Sequence, residues 1–237
     1  MPHIDRSVLL FVNSLAGRWL ALDHMASAVD GLHLLNGIPL LSILVYRWFS
    51  AVRCGEEDER NLLLRDFSAV VIAGPLSRTL QFLLNFHPRP LHDPSLHIRI
   101  SPIVDPNELN GWGSFPSDHA SLYFAMAIVI ALHCRRGIAI AASLFATIVL
   151  VPRVYFGYHW PSDILGGLVV AAGAVLLCRH TIPKRSADRI SALEKTSPGL
   201  FYTAGFILCI QIATLFEEFR QLGAGIIKIA RSAVRVY

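Results

Sequence analysis

Arg153-Val-Tyr-Phe-Gly-Tyr-His159-Trp-Pro-Ser-Asp163 joins two long apolar runs, 137–157 and 163–180, and places an Arg, a His and an Asp at their junction. The runs decide the fold. A bilayer core of roughly 30 Å is crossed by about 20 helical residues, and backbone groups in lipid find partners only within a helix or a closed barrel. Similar runs at 31–52, 66–86, 117–134 and 199–218 extend the pattern to about six transmembrane helices. The second holds Arg78, Gln81 and Asn85, and the last ends in Glu217, Glu218 and Arg220. The composition agrees: 54% of residues are apolar, only 16% are charged, and the mean hydropathy is +0.50. Soluble domains carry about 25% charged residues. The sequence therefore predicts an all-α, polytopic membrane bundle forming one domain over 1–237. Its polar motifs lie in a core at about 66–180, with an N-terminal segment at 1–30 and a basic tail at 219–237.

Asn13, Ser14, Gly17 and Arg18 interrupt the first 24 residues, which lack the apolar centre and small-residue site of a cleaved signal peptide. Val8, Phe11, Val12, Leu15, Trp19 and Leu22 recur at helical spacing. A helix on the membrane surface and one packed on the bundle both fit that spacing. The connections at 53–66, 134–137 and 179–197 are rich in Lys and Arg, whereas 87–116 and 153–162 hold only Arg89, Arg99 and Arg153. The excess of basic residues places the first set in the cytoplasm, so the Arg153–Asp163 junction faces outward. A complete sixth crossing would leave Lys228, Arg231 and Arg235 outside, which strains this assignment. The net charge of +4 gives no reason to invoke nucleic acid, and the four cysteines form no disulfide or metal pattern.

Charged groups at membrane depth are costly and mark functional sites by default. In this topology the end of the second run, the start of the third, the end of the fourth and the start of the fifth share one face. Arg89-Pro90, Pro116-Ser117-Asp118-His119 and the Arg153–Asp163 stretch then converge. Each piece alone has an ordinary explanation: a snorkelling Arg, a helix-end His, a helix start. Together they suit phosphate. Arg89 and Arg153 offer planar charged forks. Ser117 occupies an N-cap position, with N–H groups and the helix dipole aimed at an anion. Pro161-Ser162-Asp163 repeats that opening at the next helix. Asp163, four residues after His159, is placed to orient its ring, and His119 stands opposite to move a proton.

This pattern resembles the type 2 phosphatidic acid phosphatase (PAP2) superfamily, whose members share their site with vanadium haloperoxidases. The family's three motifs are Lys-x6-Arg-Pro, Pro-Ser-Gly-His and Ser-Arg-x5-His-x3-Asp. Here the third is Arg153-x5-His159-x3-Asp163 with Pro152 for the Ser. The second is Pro116-Ser117-Asp118-His119, with Asp for Gly. The first keeps Arg89-Pro90 but has Phe82 where the Lys belongs. Arg78, one turn deeper on the same helix face, is the candidate replacement, with His87 as a lesser one. Asp118 adds a negative charge that is tolerable if it faces away, caps a helix or pairs with an Arg. The Pro-Ser-Asp-His form also resembles the bacitracin-resistance type of undecaprenyl-diphosphate phosphatase.

The resemblance implies a haloperoxidase-like core and cofactor-free, metal-free phosphoryl transfer through a phosphohistidine. His159 would be the nucleophile, Asp163 its orienting group and His119 the acid and base. Arg89, Arg153, Ser117 and Arg78 would bind the phosphate. It implies a lipid phosphate or polyprenyl diphosphate as partner, a bacterial inner membrane as location, and a site facing the periplasm or outside. A homo-oligomer is compatible with it. Phosphatidate, phosphatidylglycerophosphate and lipid A phosphate are alternative substrates, and lipid phosphotransfer is an alternative reaction. A small transporter or an anion-binding module is the non-enzyme alternative. A transporter gathers polar groups near mid-span, whereas here they lie at helix ends. The long connection 91–115, with Pro94, Pro102, Pro106 and Gly111-Trp112-Gly113, is expected to be a lid or headgroup contact or a plain connection. The lipid chain is expected to enter near Gly166 and Gly167, unless these serve close helix packing.

Overall fold

A computed structural model describes residues 3–216. Glu217, Glu218, Arg220, the end of the sixth run and the basic tail with Lys228, Arg231 and Arg235 lie outside the described residues. Every regular element among those residues is helical. Two short helices, α1 (His3–Asn13) and α2 (Leu20–Gly31), precede α3 (Gly37–Cys54) and α4 (Glu57–Leu83). A long connection with one 3-10 turn at Pro90–His92 leads to α5 (Asp118–His133). Then follow α6 (Arg136–Ile148), α7 (Val151–Tyr155), α8 (Pro161–Thr181), α9 (Lys184–Thr196) and α10 (Pro198–Ala213).

The core forms around α5. Leu122, Met126, Val129 and Ile130 on this helix are fully buried among α3, α4, α6 and α8. Ala69 and Ala73 of α4, and Ala171 and Ala174 of α8, are small enough to let the backbones approach where lipid gives no hydrophobic drive for association. Gly167 shows the closest fit. A Cβ there would stand 2.5 Å from Ala120 Cβ and 2.9 Å from the Ser117 carbonyl. Gly166 is equally confined, by the Phe115 ring. This pair therefore seats α8 against the Phe115 ring and on the first turn of α5.

Two polar ends frame the bundle. At one, fully buried Asp66 receives Arg179 at 2.7 Å and His133 Nε2 at 2.9 Å, and His133 Nδ1 meets Glu59 at 2.8 Å. At the other lie the start of α5, the start of α8 and the end of α4, tied where Ser77 Oγ and Gln81 Nε2 donate to the Pro116 carbonyl. Residues 197–213 run between these ends alongside α3. Phe201 stacks on Trp48 far from the motifs, while the Ala213 carbonyl approaches Gly37 near them.

By length and composition, residues 136–155 and 161–181 can each cross a membrane. The bent pair 185–196 and 198–213, folded at 119°, makes up to three, and α5 is a shorter apolar helix. The expected runs shift accordingly. The run 31–52 becomes α3 from residue 37. The run 66–86 becomes an α4 that starts nine residues earlier, because Arg60 pairs with Glu194 and Asn61 bonds Asp188 on α9. The run 137–157 is broken between α6 and α7, and α7 carries Arg153.

The N-terminal segment packs on the bundle with an unexpected face. Asp5, Leu9 and Asn13 are buried against α7 and α8, while Phe11 and Trp19 of the apolar stripe point outward. Asn13 Nδ2 donates to the Tyr155 carbonyl at 2.9 Å and to the Arg99 carbonyl at 3.0 Å.

Candidate active site

The turn between α7 and α8 creates the site. The N–H groups of Tyr158 and His159 both return to the Arg153 carbonyl, at 2.9 and 3.1 Å. This tight reversal passes through Gly157 at φ 74°, where a Cβ would also meet Ile98 at 3.1 Å. Glycine adopts that backbone without the strain an L side chain meets there. Asp163 Oδ2 then accepts the Trp160 N–H at 2.7 Å and starts α8. The same oxygen lies 3.3 Å from His159 Nδ1.

His159 is 1% exposed. Its Nδ1–H donates to the Ser114 carbonyl at 2.9 Å and toward Asp163, which leaves Nε2 as the unprotonated acceptor. That nitrogen faces Arg89 Nη1 at 3.4 Å. Burial pushes the His159 imidazole below its ordinary value; Asp163 opposes the shift and Arg89 adds to it. The second oxygen of Asp163, Oδ1, is buried without a hydrogen-bond partner, and His87 Nδ1 lies 3.6 Å from it. His87 itself bonds Ser114 Oγ at 2.7 Å.

Arg89 is 3% exposed, and its Nη atoms donate to the carbonyls of Tyr158 (2.7 Å) and Gly113 (3.0 Å). Burial lowers its pKa to about 10, so it remains charged at neutral pH. The connection 91–115 thus forms one wall of the site, through the carbonyls of Gly113 and Ser114. Trp112 lies over the Arg78 guanidinium at 4.9 Å.

Ser117 is fully buried and caps α5, accepting from Ala120 N. Its N–H is committed to the Asp163 carbonyl at 3.1 Å, so only its hydroxyl proton remains to meet an anion. His119 Nδ1 lies 3.0 Å from Asp118 Oδ1, and its Nε2 is in close contact with Arg153 Nη2. An arginine N–H only donates, so Nε2 accepts here and the ring proton sits on Nδ1. Asp118 pairs with Arg78 at 3.1 Å, which accommodates the extra carboxylate of the second motif. Arg78 also bonds Gln81 Oε1 at 2.8 Å. Phe82, at the lysine position of the first motif, is 71% exposed and packs edge-on to Trp112.

The structure therefore gathers all seven proposed site residues at one end: His159, His119, Asp163, Arg89, Arg153, Ser117 and Arg78. Sequence reasoning missed Asp30, which lies 2.6 Å from Arg153 Nε, and the Gly113 and Ser114 carbonyls. Asp30 shares its short helix with Asp23 and His24, so nothing in the sequence singled it out. Nothing marks a carbonyl in sequence. No group of three or more His, Cys, Asp or Glu able to hold a metal occurs among the described residues. An apolar cavity of about 720 Å³, lined by Trp48, Phe67 and Phe201, lies in the opposite half of the bundle, away from the motifs.

Two curated relatives match the chain. It is 28% identical over 136 residues to "Putative undecaprenyl-diphosphatase YbjG" of Escherichia coli (strain K12), a match covering 57% of this chain and 62% of the relative. It is 38% identical over 101 residues to "Undecaprenyl-diphosphatase BcrC" of Bacillus subtilis (strain 168), covering 42% of this chain and 48% of that relative. The matches thus span less than two thirds of either relative's length. No solved structure matches the chain. The PAP2 superfamily matches residues 64–187, just over half of the chain and all three motif segments, and the chain belongs to that superfamily.

Proposed function

We propose that this protein is a membrane lipid phosphatase that removes the terminal phosphate of a polyprenyl diphosphate such as undecaprenyl diphosphate. One observation carries the reading: His159 is buried with Nε2 as its unprotonated nitrogen, met only by a long 3.4 Å contact from Arg89, while Ser114 and Asp163 hold its other nitrogen. The two relatives named as undecaprenyl-diphosphatases favour that substrate over phosphatidate, phosphatidylglycerophosphate or lipid A phosphate.

His159 Nε2 attacks the terminal phosphorus, and the bond to the bridging oxygen breaks. His119 gives a proton to the departing lipid monophosphate. In the second half His119 takes a proton from water, the hydroxide attacks the phosphohistidine, and inorganic phosphate leaves. Arg89 and Arg153, with the Ser117 hydroxyl, stabilise charge on the phosphoryl oxygens. Arg153 must move from His119 Nε2 onto the phosphate, which frees that nitrogen to carry its proton. Arg78 acts one step back, by pairing with Asp118.

In this reading α3, α4, α5, the α6–α7 pair, α8 and α10 cross a bacterial inner membrane, and the excess of Lys and Arg at the far end turns the site outward. The deciding experiment measures phosphate release by detergent-purified protein against polyprenyl diphosphates and a panel of lipid phosphates, with and without EDTA. Release from the diphosphate, unaffected by EDTA, is expected. Absence of release from every lipid sinks the reading in favour of an anion-binding module.

A further inference from the structure

The N-terminal helices lie outside the region matched by the superfamily, which begins at residue 64, yet they reach the reacting end of the bundle. Asp30, the penultimate residue of α2, binds Arg153 Nε at 2.6 Å. Both groups are shielded, with side chains 16% and 12% exposed. The other side of the same guanidinium meets His119 Nε2. Around this contact the segment grips the α7–α8 wall again. Asp5 accepts both the N–H and the hydroxyl of Ser162, at 2.9 and 2.7 Å. Asp23 accepts the Tyr155 hydroxyl at 2.6 Å. Asn36 Nδ2 donates to the Asp30 carbonyl at 3.1 Å, which fixes the end of α2 to the start of α3.

We propose that Asp30 is a positioning residue for Arg153: the N-terminal segment completes the phosphate site by clamping the guanidinium at Nε and leaving its Nη groups for the phosphoryl oxygens. This rests on the phosphatase reading. Arg78, Arg89 and Arg153 converge on one end of the bundle, and like charges brought together repel one another. A carboxylate fixed on a neighbouring helix offsets one of those charges and restricts a side chain with several rotatable bonds. Nε is the position from which a carboxylate can hold the fork without covering all of its donors. The same negative charge weakens ground-state attraction for a phosphate. Asp30 therefore favours turnover at the expense of product retention.

The test uses the full chain in detergent, with Asp30→Asn, Asp30→Glu and wild type compared for kcat, KM and inhibition by inorganic phosphate. Thermal unfolding checks that each variant is folded. Asp30→Asn is expected to lose roughly 10- to 100-fold in kcat, the scale of a misplaced catalytic group, while inorganic phosphate inhibits it several-fold more tightly. Asp30→Glu keeps the charge and is expected to recover part of kcat; it carries the test if Asp30→Asn does not fold. A packing role alone would not tighten phosphate binding. Folded Asp30→Asn with wild-type kcat and wild-type phosphate inhibition overturns the proposal. So does Asp30→Glu that is slower than Asp30→Asn.

If wild type itself releases no phosphate from any lipid, the phosphatase reading fails separately. The Asp30 inference is then decided by calorimetry with inorganic phosphate, which needs no turnover. Tighter binding by Asp30→Asn than by wild type supports it, and equal binding overturns it.

Discussion

His159 shows how much of the chemistry rests on single atoms. Its Nδ1–H is spent on Ser114 and Asp163, so any nucleophilic role falls to Nε2. His159→Ala is expected to lower kcat at least about 1,000-fold, with unchanged circular dichroism; a folded variant with substantial turnover would remove His159 from the nucleophile role. The pH dependence follows from the same burial. Only the neutral ring attacks, and the folded imidazole lies below its ordinary 6.5, so the neutral form persists to lower pH. The acid limb of kcat/KM should therefore fall below pH 6.5. A limb at or above that value would contradict the buried, ligand-free geometry. That His159, Asp163, His119 and Arg89 come together at one end was legible from motif spacing alone. The Ser114 carbonyl was not, because a backbone acceptor has no sequence signature. Asp118 was legible as an anomaly, and pairing with a neighbouring Arg was among the ways foreseen to accommodate it; the structure supplies Arg78 as that partner.

At the scale of elements, the seat of α8 on α5 sets where Asp163 and His159 stand relative to His119. Gly167→Ala places a methyl carbon 2.5 Å from Ala120 Cβ and against the Ser117 carbonyl. It is expected to destabilise the protein by about 1–3 kcal/mol and to lower kcat by displacing the start of α8. Gly173→Ala, on the same helix with nothing within 4 Å, should leave stability unchanged or raise it. Melting temperatures of the pair measure this; equal values for the two variants would mean that the α5–α8 contact does not position the site. The apolar runs announced α5 and α8 to within two residues at each end, because their cores are apolar throughout. They misjudged the start of α4, whose first five residues, Glu57 to Asn61, are polar and are tied to side chains of α9. The run 137–157 matches the stretch 136–155 that is long and apolar enough to cross a membrane, and composition does not report the short turn at Val149–Leu150 inside it.

For the whole molecule the open question is facing. Cys54 is exposed at the end of α3, and Trp112 lies in the connection that walls the site, at the opposite end of the bundle. A membrane-impermeant maleimide is expected to label Trp112→Cys in intact cells, and Cys54 only in inverted vesicles. The reverse pattern would turn the site toward the cytoplasm. The one-domain reading and the helical class came from composition and run length, since lipid offers backbone groups no partner outside a helix or barrel. By itself the sequence determined that the chain is helical, that charged motifs fall at the ends of apolar runs, and that their spacing is that of the PAP2 superfamily. Only the tertiary structure decided that Arg153 is shared between Asp30 and His119, that Arg78 serves Asp118, and that Gly167 packs directly on the first turn of α5. The physical reason is range. Hydrophobic periodicity and capping act over a few residues, whereas a guanidinium chooses among carboxylates that folding brings within 3 Å from over a hundred positions away.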